Sequence, residues 1–269
     1  MSSKLKLFFG SSVLVFGIFS AWWVLLRLNI APPGLTPDAF SDTYGVLALI
    51  GGIAGIGIAQ AWGGFKSLIG KALMFFSLGL LAQALGQAVY SIYFFWLGEE
   101  VPYPSLGDIG YFGSVLLYIY AIYCLAKVSG VHFTLRSLKN KIYAFLVPLV
   151  LLVFSYYIFL KDYQRDSDTS LIATLLDFGY PLGQAVYIAI AILAFLLSRR
   201  ILGGIMRSRI LLLLLALLIQ YIADFVFLYQ ANREIWAAGG ISDFIYLAAY
   251  FVMAIALLWI GKAYKEIRS

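Results

Sequence analysis

Eight apolar runs, each about as long as a bilayer is thick, restrict this chain to one kind of architecture. Crossing the hydrocarbon core as a helix takes about 20 apolar residues. Lipid offers no partner to backbone N–H and C=O groups, so a single segment must satisfy all of them internally, and a helix does so. The runs fall at residues 7–27, 43–62, 72–97, 109–129, 142–160, 171–197, 210–229 and 241–260. They predict an all-α polytopic membrane protein with eight transmembrane helices in a single membrane domain, residues 1–269. Hydrophobic residues are 63% of the chain and charged ones 12%, against roughly 45–50% and 25% in soluble domains. That leaves short loops and no room for a soluble catalytic or DNA-binding domain. Lys4 and Lys6 precede the first run, but the run is too long for a signal-peptide core and lacks an A-x-A site, so it reads as a retained helix.

Charge sets the expected orientation. The net charge is +6, which in a multi-pass protein follows from basic loops on the cytoplasmic side and needs no nucleic acid partner. With the N-terminus inside, all of the 19 Lys and Arg residues except Arg27, Lys161, Arg165 and Arg233 fall on the inner side. Both termini are therefore expected in the cytoplasm, with a bacterial inner membrane as the setting. Of the 13 acids, only Glu266 is inner. Acids contribute little to topology, so their one-sidedness has another cause: helix capping, or a surface that attracts cations.

The acids also recur. Asp108 with Tyr111, Asp177 with Tyr180 and Asp243 with Tyr246 repeat one i, i+3 pair at the head of three runs, and Asp42 with Tyr44 is a looser relative. Such spacing places a carboxylate and a phenol on one helical face. The interval from Asp42 to Asp108 equals that from Asp177 to Asp243, and Gln83 to Gln87 in the third run aligns with Gln220 to Asp224 in the seventh. This pattern predicts a tandem duplication of a four-helix unit, pseudo-repeats 1–135 and 136–269. An even number of spans per unit gives a pseudo-two-fold axis along the membrane normal, as in transporters built from parallel repeats.

Two explanations compete for the acids. An Asp at the outer end of an even-numbered helix sits at its N-terminus, where a cap stabilises by about 0.5–2 kcal/mol; this suits Asp42, Asp108 and Asp243, and Ser105 to Asp108 has capping-box form. Asp177 caps as well if its helix starts near Phe178. Asp224 resists, because it lies in the C-terminal half of its run, where the helix dipole disfavours an anion. An ionisable group within the membrane is a functional hypothesis by default. The candidate ligand-binding set is therefore Gln87, Asp108, Tyr111, Asp177, Tyr180, Asp224, Asp243 and Tyr246.

Other features read more simply. Gly51 and Gly55 permit close helix packing. Trp22, Trp23, Trp96 and Trp236 suit one interfacial belt and Trp62 and Trp259 the other. Pro148 and Pro181 are expected to kink or end their helices. His132, the sole histidine, reads as a solvated loop residue. No metal-ligand spacing, phosphate loop or nucleophile elbow occurs, so neither a cofactor nor an enzyme is expected.

Pro104 to Tyr111, Leu175 to Gly183, Ile222 to Asp224 and Ser242 to Tyr250 resemble segments of bacterial multi-pass membrane proteins of uncharacterised role. They are also similar to the membrane-embedded sensory regions that precede diguanylate cyclase (GGDEF) domains. The resemblance implies a sensory or ligand-binding module. Since no GGDEF segment precedes Ser269, output is expected to pass through a cytoplasmic or membrane signalling partner, with a small cationic ligand at the outer Asp/Tyr cluster. A cation- or proton-coupled transporter, with Asp224, Asp177 and Gln87 along its path, is the alternative, and a non-catalytic assembly subunit a third.

Overall fold

In a computed structural model, the described residues are 3–99, 101–128, 138–161, 163, 170–198 and 206–268. Ser129, His132, Arg165 and the expected repeat junction at 135 and 136 lie outside them. Among the described residues eight helical spans are long and apolar enough to cross a membrane, and there is no strand. The chain is an integral membrane protein of all-α class. Its helices are α1 (Ser3–Arg27), α2 (Pro37–Thr43), α3 (Val46–Ala61), α4 (Leu68–Ile92), α5 (Gly107–Val128), α6 (Leu138–Ser155), α7 (Leu171–Ser198), α8 (Met206–Ala231) and α9 (Ile241–Arg268). Short α2 and α3 follow one another within a single span, Pro37–Ala61. π-helical turns at Tyr93–Leu97 and Tyr156–Leu160 extend α4 and α6.

Six spans close a ring in the order α3, α4, α5, α7, α8, α9 and back to α3. The remaining two bury almost nothing: α1 lies outside against α9 and α3, and α6 outside against α7. Small residues let the ring close. A methyl added to Gly51 would meet Ala254 of α9, and one on Gly55 would meet Ser77 of α4. The tightest seam is α4 with α5, where Gly110 lies against the backbone of Ala82 and Gly86. Gly57, in contrast, faces open space.

The two ends differ in charge as expected. Loops 28–36, 98–106 and 232–240 lie at one end with Asp38, Asp42 and Glu99; the opposite end carries residues such as Lys66, Lys127, Arg209 and Lys262. Tryptophans join helices at each end as well as marking the interface. Trp23 Nε1 donates to the Gly240 carbonyl at 3.2 Å, and Trp62 Nε1 to that of Ile260 at 3.3 Å. Trp96, 85% exposed, behaves as a belt residue.

Of the two outcomes expected at the prolines, a kink or an end, the second does not occur. Neither ends its helix: α6 continues through Pro148 and α7 through Pro181. The carbonyl of Pro181 is occupied, accepting from the buried Ser155 hydroxyl of α6 at 3.0 Å, which ties the outlying α6 to the ring.

The Gly110 seam yields a paired test on one helix. Gly110→Ala forces a methyl into backbone and should destabilise by about 1–3 kcal/mol. Gly113→Ala meets nothing within 4 Å and should be neutral or stabilising by up to about 1 kcal/mol from helix propensity. Thermal unfolding in detergent separates the two, and equal effects would contradict the seam.

Candidate functional site

The ring of helices encloses a cavity of about 900 Å³ opening at the acidic end. Its walls are built by the heads of α2, α5, α7 and α9 and the tails of α4 and α8. Exposed Asp38 and Glu99 stand at the mouth, Asp42 and Asp177 below them, and buried Asp108, Asp243 and Asp224 further in. Tyr44, Tyr90, Tyr103, Tyr111, Tyr180, Tyr246 and Tyr250 fill the intervals. All eight candidate residues named from the sequence line this one space.

Two capping assignments hold and two fail. In α5 the Ser105 backbone N–H donates to Asp108 Oδ2 at 2.8 Å, the reciprocal bond of a capping box, and Gly107 N–H donates to Ser105 Oγ at 3.1 Å. In α9 Asp243 Oδ2 accepts from Gly239 N–H at 2.8 Å. Asp177 is no cap, because α7 starts six residues earlier, at Leu171, where Ser170 Oγ accepts from Ala173 N–H at 3.1 Å. Asp42 is none either: Thr36 caps α2, with Pro37 in its first turn, and Asp42 sits near the end of that helix.

The pairing of acids with phenols differs from the i, i+3 expectation in a way that matters. No Asp bonds the tyrosine three residues on. Asp108 Oδ1 instead accepts from Tyr180 of α7 at 2.7 Å. Asp177 accepts from Tyr103 at 2.6 Å and Tyr163 at 2.9 Å, both on loops. Burial first, and then the bond to Asp177, push the Tyr103 phenol above its ordinary range, which keeps it a donor. Tyr246 bonds Asp224, not Asp243. Asp108 and Asp224 are thus satisfied across helix interfaces and Asp177 from two loops, and the phenols of Tyr180, Tyr187 and Tyr246 cross-link the ring.

At the floor two buried hydrogen-bonded clusters lie side by side. Asp224 accepts from Tyr187 of α7 at 2.7 Å, Tyr246 of α9 at 2.8 Å and Gln220 Nε2 at 3.1 Å. Beside it Gln83 of α4 accepts from Tyr250 of α9 at 2.8 Å and donates to Ser114 of α5 at 2.7 Å. The anion that the helix dipole disfavours is held by three donors from three helices. A few polar atoms remain open. Gln87, 6% exposed, donates from Nε2 to the Ser41 carbonyl at 2.7 Å while its Oε1 has no partner. Among the described residues, Tyr44 and Tyr111 have no hydrogen-bond partner at their hydroxyls and the Asp42 carboxylate has no donor.

No protein-family model, curated protein or solved structure matches the chain. What the site does must therefore be argued from its chemistry.

That chemistry is one-sided. Among the described residues no Lys, Arg or His lines the cavity. The cations at this end are engaged elsewhere: Arg27 donates to the Gly239 carbonyl and lies over Trp23, Arg233 lies 4.2 Å from the ring of Tyr229, and Lys161 lies 6.0 Å from that of Tyr157. Among the described residues the ion pairs, Arg209 and Lys262 with Glu266, belong to the opposite end. Nor do three acids converge as metal ligands would. The sequence reading missed Tyr103, Tyr163 and Tyr187 as acid partners. Tyr187 had a signal, since it stands two helical turns after Tyr180, as Tyr118 does after Tyr111. Tyr103 and Tyr163 had none, because loop positions carry no period.

The floor can be tested by a double-mutant cycle. Tyr246→Phe and Asp224→Asn should each destabilise the protein, and their coupling should reach about 0.6–1.7 kcal/mol, the range for hydrogen bonds between membrane helices. Additive effects on unfolding would show that the bond contributes nothing.

Proposed function

We propose that this chain is a membrane-embedded receptor module whose cavity takes organic cations from the outer side of the membrane. One observation carries the reading: a cavity of about 900 Å³ lined by carboxylates and tyrosines, with no basic residue among the described ones. Its volume falls within the range of small-molecule sites, about 300–1,000 Å³. Carboxylates in a confined, poorly solvated space focus a negative potential. Tyrosine faces attract cations, by about 2 kcal/mol or more where desolvated.

The distribution of Lys and Arg supports an acidic end outside and both termini in the cytoplasm, and the resemblance to bacterial multi-pass proteins supports a bacterial inner membrane as the setting. The cavity stops short of the other side. Below Gln83 and Asp224 the ring is filled by Phe76, Leu80, Ile122, Leu125, Leu213 and Leu257, all buried, and the buried Ser77 bonds the Leu73 carbonyl of its own helix. A transporter needs polar groups continuing inward, so this closed floor favours reception over passage. A ligand bound between α4, α5, α7 and α9 acts on the same helices whose far ends carry the basic surface, where a cytoplasmic signalling partner would dock. The duplication belongs to the same reading: Asp108 meets α7, and Asp243 lies beside Tyr44 and Asp42 on the span equivalent to α7.

Thermal unfolding with three probes of similar size tests the charge preference. Butylammonium should raise the midpoint, whereas butanol and butyrate should not. Saturating ligand at about 100-fold over its Kd adds about 2.7 kcal/mol. Equal responses to all three, or a response to butyrate alone, would contradict a cation receptor.

A further inference from the structure

The cavity acids fall into two groups on opposite walls. Asp42 of α2 and Asp243 of α9 lie close enough for their charges to interact, with Asp38 beside them. Across the lumen Asp108 of α5 and Asp177 of α7 are joined through Tyr180 and Tyr103. Around the ring, α4 separates the two groups on one side and α8 on the other. The groups correspond through the repeat spacing, Asp42 to Asp177 and Asp243 to Asp108. Packed helices stand about 8–10 Å apart, so opposite walls of a six-helix ring place the groups on the order of 10 Å from each other across the lumen.

The first group also holds open acceptors. Gln87 Oε1 is buried, lines the cavity and has no hydrogen-bond partner, because its amide nitrogen is held by Ser41 and its side chain is wedged against Gly45. The Asp42 carboxylate beside it is likewise without a donor. A buried acceptor without a partner is costly, and a quaternary ammonium cannot relieve it for want of N–H groups. An ammonium with N–H groups can. On the α4 side between the two groups stand Tyr90 and Tyr111, rings 5.3 Å apart and edge to face, each near enough to interact with both Asp42 and Asp108, a surface suited to methylenes.

We infer that the ligand is a linear di- or polyamine, bound with one ammonium at Asp42, Asp243 and Gln87, its methylene chain along the tyrosines, and a second ammonium at Asp108 and Asp177. This rests on the cation-receptor reading above and narrows it to a chain with two separated charges.

Calorimetric titration of the full-length protein with spermidine, putrescine, butylamine and tetramethylammonium tests it, with unfolding curves confirming that every variant is folded. Spermidine or putrescine should bind at least about tenfold tighter than butylamine, since a hydrogen bond to a charged group contributes about 1.5–3 kcal/mol. Asp42→Asn and Asp177→Asn should each reduce the tighter amine to the affinity of butylamine, while changing butylamine itself about twofold. Should butylamine match both polyamines, or tetramethylammonium match butylamine, the two-ammonium inference is overturned and the cation receptor stands. If no amine binds the folded protein, both fall.

Discussion

Holding several carboxylates in the interior of a membrane bundle is the constraint around which this protein is built. Taking a carboxylate out of water costs several kcal/mol unless donors replace the solvent. Here the donors are mainly tyrosine hydroxyls and backbone N–H groups, and among the described residues no basic side chain takes part. Asp224 has three donors and Asp177 two phenols, while Asp108 combines a cap with a phenol from a neighbouring helix. A phenol donates without bringing a positive charge. The acids are stabilised while the lumen stays negative, which an arginine in the same place would have prevented.

The same bonds set the architecture. The Asp–Tyr bonds of Tyr180, Tyr187 and Tyr246 cross helix interfaces, so they form only if α5, α7, α8 and α9 take the right rotation about their axes. Glycine at the α4–α5 seam brings Tyr111 over Gly86 and Tyr118 over Gly79, turning that face of α5 toward the lumen. Hydrophobic residues in lipid offer little to choose between helix rotations. Polar cross-links and close glycine contacts supply that choice. The closed apolar floor then confines the polar chemistry to one end.

Much of this was legible before any coordinates. The eight spans follow from run length, and their ends were placed within a few residues for most; α9 runs on to Arg268 because Lys262, Lys265 and Glu266 continue a helix beyond the apolar limit. The eight site residues were legible because polar groups in apolar runs are few and each needs a reason. Their partners were not. An i, i+3 spacing reports a shared helix face and is silent about neighbouring helices and loops, which is where Asp108, Asp224 and Asp177 find their phenols. The start of α7 was ambiguous for a related reason: the residues before Asp177 are apolar and read equally well as helix or interfacial stretch. Pro148 and Pro181 do not end their helices: local preference disfavours proline within a helix, whereas in a membrane bundle neighbouring groups re-satisfy the backbone.

A cation-attracting lumen has a direct electrical signature. In a Cys124→Ala background, a cysteine replacing Ala231, which is exposed on the cavity wall, can be modified by methanethiosulfonates carrying either a positive or a negative group. At low ionic strength the positive reagent should react at least about tenfold faster, and added salt should reduce the ratio as it screens charges beyond about 10 Å at 0.1 M. Equal rates, or faster reaction of the negative reagent, would contradict an acidic, cation-free lumen and with it the receptor built on that lumen.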